Sequence, residues 1–210
     1  MHLPDLAKGA GEVARHQAAW AVGSTLFWRG RFADALKWLP DSPEGKVYRG
    51  WTLALLGEPE AALALPVNAA LHYFLDQPVA CLGCLEAAAD ALAAAQRELL
   101  RYWARSRLGQ AADAAAAQRA LAVLRRLAPC DEARGMAAYA LAIFHQNPGY
   151  ALPHLDHALD LFARFGLHHL EARLLEHKAR ALAAAGLLRD AGRFEQVAAE
   201  AKRRQVAVNG

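Results

Sequence analysis

One local pattern recurs along this chain of 210 residues: a glycine with a small residue seven positions before it and an alanine five positions after it. Around Gly30, the small residues are Gly23 and Ala35, and Leu26 lies four positions before the glycine. Small residues at these positions allow two antiparallel helices to cross closely, because larger side chains would hold the backbones apart. Glycine can adopt the left-handed conformation that ends the first helix. The pattern therefore predicts a helical hairpin.

The same pattern occurs at Gly57 and Gly186, and less completely at Gly109. Two weaker copies that lack the glycine are centred on Asp76 and Gln146. A single helix pair cannot bury its apolar face, whereas stacked pairs share a continuous core. The sequence therefore predicts one domain of about six irregular helix pairs followed by a short tail. The expected pairs cover residues 12–40, 43–66, 67–93, 95–128, 132–165 and 170–204, and the tail covers 205–210.

Composition favours helices throughout the chain. Strong helix formers dominate, and the few β-branched residues never alternate over several positions as they would in a strand. We therefore predict an all-α fold. The turn positions are 27 residues apart from Gly30 to Gly57 but only 19 apart from Gly57 to Asp76. This shortening predicts two short helices joined by a tight turn at Pro66.

Charge and cysteine content limit the environment and the class of partner. The formal net charge is only +3, from 24 basic and 21 acidic side chains, so neither nucleic acid nor a membrane is the expected partner. Three cysteines, an odd number, argue against a disulfide framework and for a reducing compartment. The start of the sequence lacks the apolar segment of a signal peptide, and no apolar run is long enough to cross a bilayer. We predict a cytoplasmic protein.

Two groups of residues have side chains that could support chemistry. Cys81 and Cys84 form a CxxC, but Cys81 falls on the small-residue position of its helix pair, which favours a core role over a redox or metal role. His154 and His157 are three residues apart with Asp160 nearby, yet they match no metalloenzyme signature, and we expect them to be solvated on an outer face. We predict no catalytic residue, no metal site and no cofactor.

The helix-pair pattern resembles the tetratricopeptide repeat family. The matching stretches are AVGSTLFWRGRFADAL, YRGWTLALLGEPEAAL and KARALAAAGLLRDAGRFEQVAAEA, and the resemblance extends over most of residues 12–204. The family has a regular period of about 34 residues, from which this chain departs. The resemblance implies an α-solenoid, a right-handed superhelix in which the first helix of each pair lines a concave groove that binds a protein segment.

Groove positions implied by the resemblance carry most of the tryptophans. Trp20, Phe27 and Trp28 also share one helical face by their spacing alone. Such aromatic side chains could instead fill the core of a tightly curled array, or form a homodimer interface. The predicted partner-binding residues are Trp20, Phe27, Trp28, Trp51, Tyr73, Phe74, Trp103, Arg107, Phe144 and Arg180.

Two functions of different classes agree with this sequence. The first is a non-catalytic adaptor or scaffold that holds a peptide, a helix of another protein or a second copy of itself in an aromatic groove. The second is a regulatory sensor that encloses a small apolar ligand, since irregular arrays of this type are also similar to the helical-repeat parts of bacterial transcriptional regulators. The adaptor is the preferred interpretation.

Overall fold

The computed structural model describes residues 11–85, 87–168 and 170–209, and within these ranges all regular secondary structure is helical. The all-α prediction is confirmed. None of the helices in this part of the chain combines the length and the apolar composition needed to cross a membrane. The helices are α1 (Glu12–Trp28), α2 (Phe32–Trp38), α3 (Pro43–Leu56), α4 (Pro59–Leu63), α5 (Ala69–Phe74), α6 (Pro78–Gly83), α7 (Ala91–Arg107), α8 (Ala114–Leu127), α9 (Pro129–Gln146), α10 (Pro148–Phe165), α11 (Glu171–Ala184) and α12 (Leu188–Asn209).

The helices pack in adjacent pairs. Each odd-numbered helix contacts the even-numbered helix that follows it, and successive pairs also contact one another, chiefly through α7 with α9 and α10 with α11. The short helices expected around Pro66 are present as α4 and α5. Asn68, just after this turn, caps α5 by accepting a hydrogen bond from the backbone N–H of Leu71 at 2.9 Å. The Asn68 cap therefore stabilises the start of α5 directly after the turn at Pro66.

The glycines expected at hairpin turns adopt the left-handed conformation. Asp76, the centre of a weaker copy, also has a positive φ of 56°. The copy at Gln146 differs, because Asn147 ends α9 in extended backbone and its side chain caps α10, so no left-handed residue is needed there. The φ angles are 74° at Gly30, 85° at Gly57, 67° at Gly109 and 80° at Gly186.

Close helix crossings occur at small residues, as predicted for the first pair. A Cβ atom added to Gly23 would lie 2.9 Å from the backbone nitrogen of Leu39, so any larger residue would push α1 away from the end of α2. A second close approach, at Gly135 in α9, has no counterpart in the sequence pattern. There an added Cβ would lie 2.5 Å from Leu124 Cδ1 and 2.7 Å from Leu99 Cδ1.

The register predicted after Gly109 is wrong. The pattern places Ala114 at the helix crossing, but Ala114 is exposed and Ala117 is buried instead. The cause is the N-cap residue Asp113, whose side chain accepts a hydrogen bond from the N–H of Ala116 at 2.9 Å and so starts α8 later than its counterparts. The buried position moves by three residues.

The last helix returns to the first hairpin turn. Residues 205–209, which the sequence assigns to a tail, continue α12. The Asn209 side chain donates a hydrogen bond to the carbonyl of Gly30 at 2.9 Å and accepts one from the N–H of Ala33 at 3.0 Å. Gln205 also donates to the Gly30 carbonyl. The two ends of the series of helix pairs therefore meet.

Candidate functional site

A cavity of about 110 Å³ lies where the first helices of five successive pairs converge. Its wall is mostly apolar and includes side chains from α1, α3, α5, α7 and α9. Even-numbered helices contribute little to it. Representative residues of its wall, in chain order, are Trp28, Trp51, Tyr73, Phe74, Leu99 and Arg134.

An aromatic cluster forms one side of this cavity. We define it by Trp20, Phe27, Trp28, Tyr48, Trp51 and Phe74. Phe27 lies at its centre, with ring centroids 4.7 Å from Trp28, 5.2 Å from Tyr48 and 6.0 Å from Trp51, mostly edge to face. Trp51 is oriented by its indole N–H, which donates to the Asn68 side chain at 3.1 Å. The cap of α5 thus also positions a cavity residue.

Three of the predicted partner-binding residues lie in the core. Phe27 and Trp103 are fully buried, so neither side chain is open to a partner in this structure, whereas Tyr73 is 5% exposed and can be reached only from the cavity that it lines. The cause is the close stacking of successive pairs, which places the Trp103 ring 4.9 Å from the Tyr73 ring, edge to face. These residues fit the alternative interpretation, in which the aromatic side chains fill the core of a tightly curled array.

The other seven predicted residues keep exposed surface. The aromatic side chains among them are partly exposed, and the two arginines are exposed. They divide between two places, the aromatic cluster beside the cavity and a charged region formed by α7, α9 and α11. The first place holds Trp20, Trp28, Trp51 and Phe74, and the second holds Arg107, Phe144 and Arg180.

Arg134 and Asp131 are cavity residues that the sequence analysis missed. The Arg134 guanidinium lies 4.1 Å from the Trp28 ring centre and forms an ion pair with Asp131, one turn earlier in α9. Burial lowers the pKa of Arg134, but a guanidinium stays protonated. The only signal in the sequence is an acid–base pair three residues apart. It does not reveal that Trp28, more than a hundred residues earlier, lies beneath the cation.

Asp76 holds two arginines from different helices. Arg107 of α7 and Arg173 of α11 each place Nη2 at 3.2 Å from a different oxygen of the Asp76 carboxylate. Partial burial raises the pKa of Asp76, but the hydrogen bond from Arg107 and the charges of both arginines outweigh this effect and hold the pKa below its ordinary value. The left-handed turn before α6 is thereby connected to α7 and α11.

Two histidines beside these arginines are uncharged at neutral pH. Burial, together with smaller effects of nearby arginine charges, lowers the pKa of His145 and of His177 to about 4. Nδ1 of His177 donates to the Arg173 carbonyl at 2.8 Å, which leaves Nε2 to accept from Arg180 at 3.0 Å. The Arg180 guanidinium also lies 5.2 Å from the ring of Phe144.

The structure places Cys81 in the core and gives His154 and His157 different surroundings. Cys81 is fully buried, as its small-residue position predicts, and burial raises the pKa of its thiol to about 12. His157 is exposed, but His154 is half-buried, with its ring 5.1 Å from Tyr139, so solvation was predicted correctly only for His157. His169 lies outside the described residues. Within them, no three potential ligands cluster in a way that could hold a metal ion.

Comparison with known proteins gives no relative. No protein-family model matches the chain, and no match is found among curated proteins or solved structures. The features of this chain that bear on its function are the cavity, the aromatic cluster and the charged region.

Proposed function

We propose that this protein is a non-catalytic binding module, a tetratricopeptide-like solenoid of about six irregular helix pairs that holds a segment of another protein on its concave face. This proposal is supported by the make-up of the cavity wall, to which the first helix of each of five successive pairs contributes side chains. A non-catalytic role agrees with the state of Cys81, whose buried thiol is protonated and therefore a poor nucleophile.

The observation that carries the proposal is the size of the cavity together with its aromatic margin. Drug-sized ligands occupy pockets of about 300 Å³ or more, whereas this cavity measures about 110 Å³. For comparison, an engineered apolar cavity of about 150 Å³ in another protein holds benzene. The space therefore fits one apolar side chain that anchors a longer segment, while the partly exposed rings of Trp20 and Trp51 contact the rest of that segment.

A small apolar ligand is the second candidate occupant. It is favoured by the convergence of five helix pairs on one cavity, because a bound molecule would contact all five and couple their packing. A sensor of this kind would bind compounds no larger than about six heavy atoms, the size of benzene.

The proposal is tested by selecting random 12-residue peptides displayed on phage against the immobilised protein, and by measuring synthetic copies of the selected peptides. Trp51→Leu should weaken their binding about tenfold or more, because it removes an indole from the cavity wall. Trp38→Leu is the matched control, since Trp38 lies on α2 and does not line the cavity. Circular dichroism should show the same helicity for both variants.

Two results would count against a peptide-binding function. One is a selection that yields no peptide, and the other is a set of peptides whose affinity is the same for Trp51→Leu. Titration with benzene then tests the second candidate, because occupation of the cavity changes the fluorescence of Trp28 and Trp51 in its wall.

A further inference from the structure

Three arginines from two odd-numbered helices meet beside the cavity with a single carboxylate between them. Asp76 accepts from Arg107 and from Arg173, as described above, which accounts for one of the positive charges. Arg180 lies seven residues after Arg173 in α11 and has no carboxylate within 4 Å among the described residues. Its polar contact is the uncharged His177. The region therefore carries excess positive charge.

Asp76 and the three arginines lie around His145 and His177, so these charges belong to one region of the surface. His145 lies near enough for Asp76 and all three arginines to influence its pKa, and its ring centre is 6.0 Å from that of His177. Because both histidines are neutral, they add no charge that would offset or enlarge the excess. Arg107 and Arg173 thus share the Asp76 carboxylate, and the charge of Arg180, which also acts on His145, is not offset by it.

We propose that Arg107, Arg173 and Arg180 form an anion subsite that receives an acidic side chain of the bound protein segment. This inference rests on the proposed function and specifies the chemistry of the partner. Guanidinium groups bind carboxylates and phosphates through paired, charge-assisted hydrogen bonds, and clusters of arginine recognise acidic or phosphorylated motifs in this way. The half-buried ring of Phe144 under Arg180 excludes water from one side of the subsite, which strengthens such a bond.

Tyr73 relates the anion subsite to the cavity. Its side chain lines the cavity, and the Arg173 guanidinium lies 5.7 Å from its ring centre. An apolar anchor in the cavity and an acid on the arginines would therefore belong to neighbouring residues of one segment. The partner is a protein segment in which a large apolar residue has an acidic residue close to it in sequence.

The test uses the peptides selected against the wild-type protein. Arg180→Gln removes a cation that has no ion pair with any described residue, and glutamine can still donate to His177, so we expect the fold to be retained. It should weaken peptide binding about tenfold, the effect expected for one charge-assisted hydrogen bond. Arg126→Gln is the matched control, because Arg126 is exposed on α8 and has no carboxylate within 4 Å in the described part of the chain. This control should bind as the wild type does.

Changes in the peptide complete the design. Replacing its acidic residue by the matching amide should also weaken wild-type binding about tenfold, and this replacement should have little further effect in Arg180→Gln. Phosphoserine at the same position distinguishes the source of the oxyanion, because tighter binding than the carboxylate identifies a phosphorylated partner and weaker binding identifies an acidic one.

The outcomes separate this inference from the proposed function. Peptides that lose affinity in Trp51→Leu but carry no acid, or that bind Arg180→Gln as tightly as wild type, overturn the anion subsite and leave the binding module intact. A selection without any peptide overturns both. Equal losses in Arg180→Gln and Arg126→Gln would indicate general charge attraction and would also overturn the subsite.

Discussion

The first two helix pairs and the remaining pairs are held together by different side chains. Around α1 and α2 a small core of Phe27, Phe32, Ala35 and Leu39 is surrounded by partly buried aromatic rings and leucines, most of them from α1 and α3. From α5 onward, a larger core consists mainly of alanine and leucine on long helices. Alanine permits a close approach of helix backbones, whereas aromatic rings pack edge to face with their centroids further apart. The two regions therefore differ in the size of the side chains that fill them.

The cavity lies where these two cores meet. Trp28, Leu55 and Phe74 pack against both of them, and Trp28 and Phe74 also line the cavity. Any occupant of the cavity would therefore contact both cores at once. Such an occupant should stabilise the packing of the two cores against each other.

The comparison is tested most strongly by Phe27→Ala. Removing this fully buried ring should lower the free energy of unfolding by about 3–5 kcal/mol in urea denaturation. Hydrogen exchange should accelerate mainly in α1–α4, because Phe27 belongs to their core. Phe162→Ala, at an equally buried site of the larger core, is the control and should affect α7–α11 instead. Uniform acceleration in both variants would show that the molecule has one cooperative core.

Mild acid should weaken the larger core first. The folded-state pKa of His177 is about 4, below the ordinary value near 6.5, so between these two values the unfolded chain binds more protons. Stability is therefore complete above about pH 6.5 and falls as the pH decreases towards 4. The slope should reach about 1.4 kcal/mol per pH unit for this histidine.

His177→Gln provides the control for this pH dependence. Glutamine does not titrate and still offers Arg180 a hydrogen-bond acceptor, so the curve of stability against pH should become flatter between pH 7 and 4.5. Denaturant titrations at several pH values measure the change. An unchanged slope would mean that His177 is not responsible for the acid sensitivity.

The junction between the two regions should be weakened by Arg134→Met. The substitution removes the cation from above Trp28 and leaves the buried Asp131 carboxylate without its partner, at an expected cost of about 3 kcal/mol, the lower end for a buried pair because the Arg134 side chain is 29% exposed. Adding Asp131→Asn should recover part of this loss, because the remaining group is then neutral. Thermal unfolding of the single and double variants gives the comparison, and no recovery would contradict the role assigned to the ion pair.

Asn209→Ala should have the smallest effect. It removes the side-chain hydrogen bonds to Gly30 and Ala33, which together should contribute about 1 kcal/mol. Hydrogen exchange should increase in α2 and at the end of α12. Val206→Ala, at an exposed position of the same helix, serves as the control and should leave exchange unchanged.

Local features of this fold could be predicted from sequence, but contacts between distant helices could not. The turn at Gly30 was predictable because its conformation depends on a few neighbouring residues. The register at Ala114 failed because Asp113 provides a better N-cap than the pattern assumed. Trp103 is buried partly because it packs against Tyr73, thirty residues earlier in the chain. The spacing rule places both residues on a groove but does not say how close their rings lie in space. The same limitation explains why the cation above Trp28 was missed.

The contact between Asn209 and Gly30 limits how this architecture can change in length. An open series of helix pairs can gain or lose a pair at either end, because each pair contacts only its neighbours. Here the final helix ends at the first turn, through hydrogen bonds between residues 179 positions apart in the chain. A duplicated or deleted pair would separate Asn209 from Gly30 and would also alter the junction that contains the cavity. The contact between α12 and the first turn therefore limits how many helix pairs can lie between them.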